Sequence, residues 1–535
     1  MRLSRSRTLA AVTVALALVA AACGSSSSSS STGSSSGGGG SGGAMAATTD
    51  VQLAYNADMQ VPDPDIFYEI EGNSLVTSVY EGLVRYKPSS TDIEPALAES
   101  FEVSPDGLTY TFKIRPNVKF HDGTPLDAAA AQGSFERRTD VNSAPAYMLA
   151  DVASYATPDP MTFVVTLNKP VSAFLDYLAA PYGPKMVSPT VLKEQGGSDF
   201  AQTYLATHDA GTGPFTITDF QLGTKYVVTR FDGYWGPKPQ VTSITYNILP
   251  DISTQRIKLE SGDLSMIIHG LSTSDIVSLE GNKDFQVQRF PALFKTLVMV
   301  NPNRDYLSDP ETRKAFLAVL DKEKITTEVY GEQASVSTQL YPAGELPDGL
   351  AMDDAPMDAS KLEALADQFK GKTIDLAYSS DDPRNQRVAD LYQTELQAAG
   401  ITAQTRGIPI AQVFDLPNQK DTAPDILVST VNPDAAHPDT WARIFMNTKG
   451  SLNWLQCSVP EADAAMDAGL EATTKAGVTA GYAKAGDLLQ KSGCFITIAD
   501  IKEVIVAKAG YSNFVHQLPT LFTVRFGDLG LKSGT

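Results

Sequence analysis

The spacing of hydrophobic and polar positions changes part-way along the chain. Between residues 50 and 290 the apolar residues cluster or alternate in short runs, the two-residue period of strands whose side chains face opposite sides of a sheet. Residues 51–55, 99–103, 108–114, 161–167, 215–220, 226–231 and 244–249 read as strands. Two of the gaps, Ser104-Pro105-Asp106-Gly107 and Gln221-Leu222-Gly223-Thr224-Lys225, carry turn residues and predict hairpins. A short helix over 253–260 and a strand over 263–268 follow. After about residue 295 the helical period takes over. Asp309 caps and Pro310 opens a helix over 311–320. Ser360 and Glu363 form a capping box for a helix with Leu362, Leu365, Ala366 and Phe369 on one face, stopped by Gly371. A strand over 373–378, a helix over 385–399 with Val388, Leu391, Tyr392 and Leu396 inward, and strands over 401–405 and 425–430 continue the alternation. Such a strand–helix–strand succession implies a right-handed crossover and a parallel sheet. Ser458 and Glu461 box a further helix, and strands over 495–499 and 504–507 close the pattern. The chain therefore reads as a β-rich lobe and an α/β lobe with no low-complexity linker between them. Two lobes packed this closely leave a cleft, the usual place for a ligand.

The ends of the chain add an address. Arg2, Arg5 and Arg7 precede an uncharged, Leu-, Val- and Ala-rich run over residues 8–22. A basic start, a short apolar stretch and small residues before a cut describe a secretory signal over residues 1–22. About 20 apolar residues are needed to span a bilayer, more than this run supplies. Val19-Ala20-Ala21-Ala22-Cys23-Gly24 resembles the bacterial lipobox, which implies that Cys23 carries lipid; the alternative is a plain signal cut among the alanines. From Gly24 to Gly43 every residue is Gly or Ser apart from Thr32, so residues 23–44 form a flexible tether with a reach of about 25 Å. Cys457 and Cys494 remain. In an exported chain they read as one disulfide closing a loop of about 38 residues, worth roughly 3–4 kcal/mol, or as two buried thiols.

Composition narrows the function. Across 535 residues there are 42 basic and 62 acidic side chains, a formal net charge of −20. That balance lacks the basic face a nucleic-acid partner requires. Gly371-Lys372-Thr373 ends like a phosphate loop, but Ala366 replaces the first glycine and the order runs helix to strand. Gly211-Thr212-Gly213 has Thr216 in place of its third glycine, and Gly33-Ser34-Ser35-Ser36-Gly37 lies in the tether. With five histidines, none paired at zinc spacing, His121 in the turn His121-Asp122-Gly123 reads as structural. No catalytic residue, metal site or cofactor is expected.

Residues 95–138 hold the most specific text. Pro95-Ala96-Leu97-Ala98-Glu99-Ser100, Ser104-Pro105-Asp106-Gly107-Leu108-Thr109-Tyr110-Thr111-Phe112 and Val118-Lys119-Phe120-His121-Asp122-Gly123-Thr124-Pro125-Leu126 resemble the signature of family 5 extracytoplasmic solute-binding proteins, the peptide-binding components of ABC importers. Gly211-Thr212-Gly213-Pro214-Phe215, Phe231-Asp232-Gly233-Tyr234-Trp235-Gly236, Glu260-Ser261-Gly262-Asp263-Leu264 and Asp309-Pro310-Glu311-Thr312-Arg313-Lys314-Ala315-Phe316 are similar to later blocks. The resemblance runs from about Val51 to the end. It implies an α/β, bilobed periplasmic-binding-protein-like fold of class II type. A small α+β domain of about residues 80–200 would be inserted in a first lobe of residues 45–295. A second α/β lobe would span 296–500, and residues 501–535 would return to the first. Closure would pivot near residues 290–300 and 500–510.

The resemblance also implies a function and a site. An extended peptide would lie between the lobes and pass to membrane permease subunits, with the protein a monomer held to the outer face of the cell membrane by its lipid. A carboxylate after a second-lobe strand would hold the peptide's amino group. The strand over 425–430 leads through Thr430, Val431 and Asn432 to Asp434, which falls at that place. An aromatic residue often follows this aspartate in the family, and Ala435 stands here, leaving room for another solute such as a sugar or a metal chelate. Trp441, Trp454, Tyr182, Tyr55 and Asn56 are further candidate lining residues. A secreted hydrolase is the rival from a different class, and it would need a nucleophile–base or metal constellation.

Overall fold

The computed structural model describes residues 45–59, 61–353, 357–419 and 422–532. The predicted signal, Cys23 and the Gly/Ser tether lie outside the described residues. Four strands build the sheet of the first lobe. Asp50–Tyr55 runs parallel to Ser243–Ile248, which pairs antiparallel with Lys225–Arg230 and through it with Phe215–Gln221. Residues 98–167 make their own antiparallel sheet of Ala98–Val103, Thr109–Ile114, Thr162–Leu167 and Val152–Asp159. The first two of these are the predicted hairpin. Gly107 takes a φ of 69° at its turn, a left-handed conformation that costs a glycine nothing and a Cβ-bearing residue dearly. Helix Ala128–Val141, capped by the Asp127 side chain on the Ala130 N–H, packs against this sheet.

The second lobe is the predicted α/β unit. Ile374–Ser379 is flanked on both sides by parallel partners, Ala403–Ile408 and Ile426–Val431. Helix Pro383–Ala398 supplies the crossover and buries Val388, Tyr392 and Leu396. Gly400, at a φ of 82°, turns the chain out of it. Alternate residues of the sheet feed two separate cores. Val298, Val300, Ile426 and Val428 join one, while Leu297, Met299 and Leu427 join the other.

Two long strands run from one lobe into the other. Phe285–Val300 and Phe495–Lys508 pair antiparallel along almost their whole length. One end of the pair lies beside Met266–Ile267 of the first lobe and the other beside Ile426–Val431 of the second. The sequence pattern missed the first of these strands and split the second in two. Pro291 lies within the first, and a proline cannot donate to a ladder. The ladder accommodates it by slipping register between Phe290 and Phe294. In the second strand the polar residues Asp500 and Glu503 fall between the two predicted strands, yet Asp500 pairs with Lys295 and Glu503 is buried.

Two predicted capping boxes are corrected. Helix Ser360–Glu363 is a single turn starting after Ala359, and the Ser360 hydroxyl donates to Asp358 at 2.6 Å instead of capping. Helix Pro460–Leu470 starts after Val459 with no side-chain cap, and the Ser458 hydroxyl sits 3.2 Å from that of Thr448. The helix opened by Asp309 is present but ends at Leu317. Cys457 and Cys494 are joined as a disulfide, tying the segment before helix Pro460–Leu470 to the start of the long strand Phe495–Lys508.

Candidate functional site

Strand Ile426–Val431 ends in the loop Asn432-Pro433-Asp434, which faces the first lobe. The proline stops the ladder and leaves Asp434 half-buried at the junction. Two first-lobe tyrosines reach it. The Tyr147 hydroxyl donates to Asp434 Oδ2 at 2.6 Å, and the Tyr68 hydroxyl donates to the same oxygen. Both residues are 38 % exposed, so the carboxylate sits between two accessible tyrosines. Among the described residues no side chain donates to Asp434 Oδ1, and no cation pairs with the group. Removal from water pushes its pKa up, opposed by the two tyrosine hydrogen bonds.

The tyrosines extend into a row. Tyr182 meets Tyr68 edge-on with ring centres 4.9 Å apart, and Tyr147 meets Tyr177 at 5.8 Å. Tyr177 donates at 3.2 Å to Asp439, a buried second-lobe carboxylate that also accepts from Tyr482 at 2.6 Å and from Arg443 at 2.9 Å. Asp439 thus has its cation, and Asp434 has none among the described residues.

A buried ion cluster sets the position of Tyr68. The loop Pro62-Asp63-Pro64-Asp65 carries two carboxylates onto helix Ala128–Val141. Arg137 reaches Asp63 at 2.6 Å and Asp65 at 2.5 Å, and Arg138 reaches Asp65 at 2.8 Å. Arg138 also donates to the Tyr182 carbonyl at 2.6 Å, so one helix fixes the backbone of both rings.

Behind Asp434, His437 caps helix Pro438–Phe445 by accepting from the Asp439 N–H through Nδ1 at 3.1 Å. Burial pushes its pKa down to about 4 from 6.5, outweighing the attraction of Asp439. A depressed folded-state pKa gives stability that is present above pH 6.5 and lost as the pH falls through about 4. His437→Asn keeps an acceptor at the cap without titrating there. Chemical denaturation between pH 7 and 4 should show a shallower acid loss for the variant than for the natural protein.

The chain matches "Bacterial extracellular solute-binding proteins, family 5 Middle" over residues 92–453. It is 30 % identical over 402 residues to the probable D,D-dipeptide-binding periplasmic protein DdpA of Escherichia coli, covering 73 % of this chain and 75 % of that one. The chain belongs to family 5 of the extracellular solute-binding proteins. Its fold is shared with solved structures. DppA of Helicobacter pylori, in complex with the peptide STSA, superposes with a TM-score of 0.76 at 21 % identity, covering 90 % of this chain and 98 % of that one. NikA of Brucella suis, in complex with Fe(III)-EDTA, gives 0.80 at 22 % identity, covering 90 % and 100 %. These likenesses bear out the bilobed α/β fold.

In this family 5 protein the predicted lining residues separate into two groups. Asp434 and Tyr182 come together through Tyr68. Asn432 lies on the same loop, with its amide 3.2 Å from the Pro433 carbonyl. Thr430 faces Asn385, to which it donates at 2.9 Å. Val431, Trp441 and Trp454 do not line the cleft surface; they are buried in the second-lobe core with Phe445, because their apolar area is satisfied there. Tyr55 stacks on Tyr246 in the first-lobe core at 5.0 Å. Asn56 is engaged by Gln255 at 2.6 Å and by His269 at 3.3 Å. Tyr68 and Tyr147 were missed. Nothing local in sequence links either of them to a residue about 290 or more positions away.

Proposed function

We propose that the protein captures peptides between its lobes, with Asp434 holding the free amino group, and hands them unchanged to the permease of an ABC importer. The observation that carries this is the half-buried Asp434 carboxylate, open at Oδ1 between two exposed tyrosines. An ammonium supplies the missing counter-charge through a charge-assisted hydrogen bond and gains from the aromatic faces beside it. The peptide in the DppA complex supports the class of ligand. An anionic chelate such as the Fe(III)-EDTA of the NikA complex would meet carboxylates of like charge, and a neutral sugar would leave Asp434 without a counter-ion. Binding is followed by release without chemistry, so the protein is not an enzyme. The two long strands serve as the hinge between a first lobe of about 45–295, completed by 501–535, and a second lobe of about 296–500.

Residues 1–22 direct export, and lipid on Cys23 with the tether over 23–44 holds the protein, as a monomer, at the outer face of the membrane. Labelling with a lipid precursor should mark the natural protein and not Cys23→Ala. The ligand reading is tested by calorimetric titration with tri- and tetrapeptides and their N-acetylated counterparts. Free-amino peptides should bind at least about tenfold more tightly, as one good charge-assisted bond provides. Equal affinity would remove Asp434 as the amine anchor, and no binding of either series would remove the peptide reading.

A further inference from the structure

Two further acidic residues, Asp176 and Glu345, line a cavity between the lobes, apart from the Asp434 loop itself. A cavity of about 750 Å³ is lined on the first-lobe side by Tyr110, Ser172 and Asp176, and on the second-lobe side by Glu345, His437 and Lys475. Its wall includes Ala436–Pro438, the direct continuation of the loop that carries Asp434. Glu345 stands out chemically. Both of its carboxylate oxygens are buried, and neither has a hydrogen-bond partner among the described residues. An ionised group left in that state is costly unless something pairs with it.

The surroundings supply no partner. Burial is the main cause that pushes the Glu345 carboxyl well above its ordinary range, and Asp176, across the cavity, adds a like charge. Among the described residues, the side chain that donates to the Asp176 carboxylate is Tyr86, whose hydroxyl lies 2.9 Å from Oδ1. Lys295 is near enough to attract Glu345, but its ammonium is bonded to Asp500 and only 1 % of its side chain is exposed. Among the other lining residues, Asp92 is paired with Lys87 at 3.3 Å, Asp348 adds another acid, and Lys475 is the one lysine. The Tyr86 hydroxyl, which bonds Asp176, also accepts from the Ala436 N–H at 3.0 Å, so Asp176 is fixed to the backbone two residues beyond Asp434.

We propose that Glu345 and Asp176, one from each lobe, form a subsite for a second cationic group of the solute, an ammonium or guanidinium carried by a basic side chain of the bound peptide. This rests on the peptide reading and deepens it. Asp434 takes the amino terminus whatever the sequence, while the Glu345–Asp176 subsite selects for a basic residue. A cation between the two carboxylates would satisfy Glu345, cancel its repulsion with Asp176 and draw the lobes together. The same chemistry is offered by a free diamine, so the experiment must separate the two sources.

The test is calorimetric titration of the natural protein, Glu345→Gln and Asp176→Asn with trialanine, with its three single-lysine and three single-glutamate versions, and with putrescine. At least one lysine peptide should bind the natural protein about tenfold more tightly than trialanine, the return from one charge-assisted bond. Glu345→Gln should abolish that preference and leave trialanine within about twofold. Trialanine binding with no lysine preference, a preference that survives Glu345→Gln, or an equal loss for all peptides in that variant would each overturn the subsite and leave the Asp434 reading standing. Putrescine binding that is lost in Glu345→Gln, with no peptide bound, would keep the subsite and overturn the peptide source. Binding of neither class would overturn both.

Discussion

Asp434→Ala is expected to weaken the binding of free-amino peptides by on the order of 100-fold, the effect of removing one partner from a desolvated, hydrogen-bonded charge pair. The variant should fold normally. Asp434 is half-buried and lies in a loop, and the tyrosines that bond it are 38 % exposed, so water replaces the lost acceptor. Asp434→Asn separates charge from shape. It keeps a carbonyl oxygen in the cleft but removes the counter-charge, and neutral hydrogen bonds are about half as strong as charge-assisted ones. Its loss should therefore fall between those of the natural protein and the alanine variant. N-acetylated peptides should be nearly indifferent to either substitution. Affinity also depends on the ionised carboxylate, and desolvation raises the pKa of Asp434. As the pH falls, binding should begin to weaken at a higher pH than for an ordinary aspartate. Calorimetry on the three proteins at pH 7 decides the matter, and equal affinities for trialanine would exclude Asp434 from the site.

Asp434 was singled out by the family resemblance, and the local feature that placed it is a strand with a strong β pattern running straight into a Pro-containing loop. The parallel sheet around Ile374–Ser379 was legible from local features too, since strand, helix and glycine stop follow one another in text. What local pattern does not carry is a contact made by closing the chain on itself. Tyr68 sits in a proline- and aspartate-rich loop that reads as surface, yet Asp63 and Asp65 are fully buried because Arg137 and Arg138 meet them there. Glu345 was one acid among 62. Trp441 and Trp454 show the converse, because a large aromatic close in sequence to the Asp434 loop reads equally well as core, and the second-lobe core holds both. The long strand Phe285–Val300 contains Pro291, whose local preference is overridden by pairing on either side of a register slip.

That buried ion cluster sets the second large expectation. Asp65→Ala should destabilise the protein by about 3–5 kcal/mol, the cost of leaving a buried charge uncompensated. Arg138 has no exposed side-chain surface, and Asp65 is its one carboxylate partner among the described residues. Its remaining hydrogen bonds go to the carbonyls of Pro64, Pro145, Tyr182 and Gly183, which satisfy the donors without neutralising the charge. Arg137 fares better, since Asp63 still grips it through two oxygens at 2.6 and 2.8 Å. The loss therefore concentrates on Arg138 and on the carbonyls that place Tyr182 and the Asp63–Tyr68 loop. The comparison is Lys87→Ala, which breaks an exposed pair with Asp92 and should cost less than about 1 kcal/mol. Urea unfolding with linear extrapolation measures both. If Asp65→Ala unfolds within about 1 kcal/mol of the natural protein, water must reach Arg138 and the cluster does not anchor the tyrosine row. If the full loss appears, peptide affinity measured well below the denaturation midpoint should fall too, because Arg138 holds both the Tyr182 carbonyl and, through Asp65, the loop that carries Tyr68.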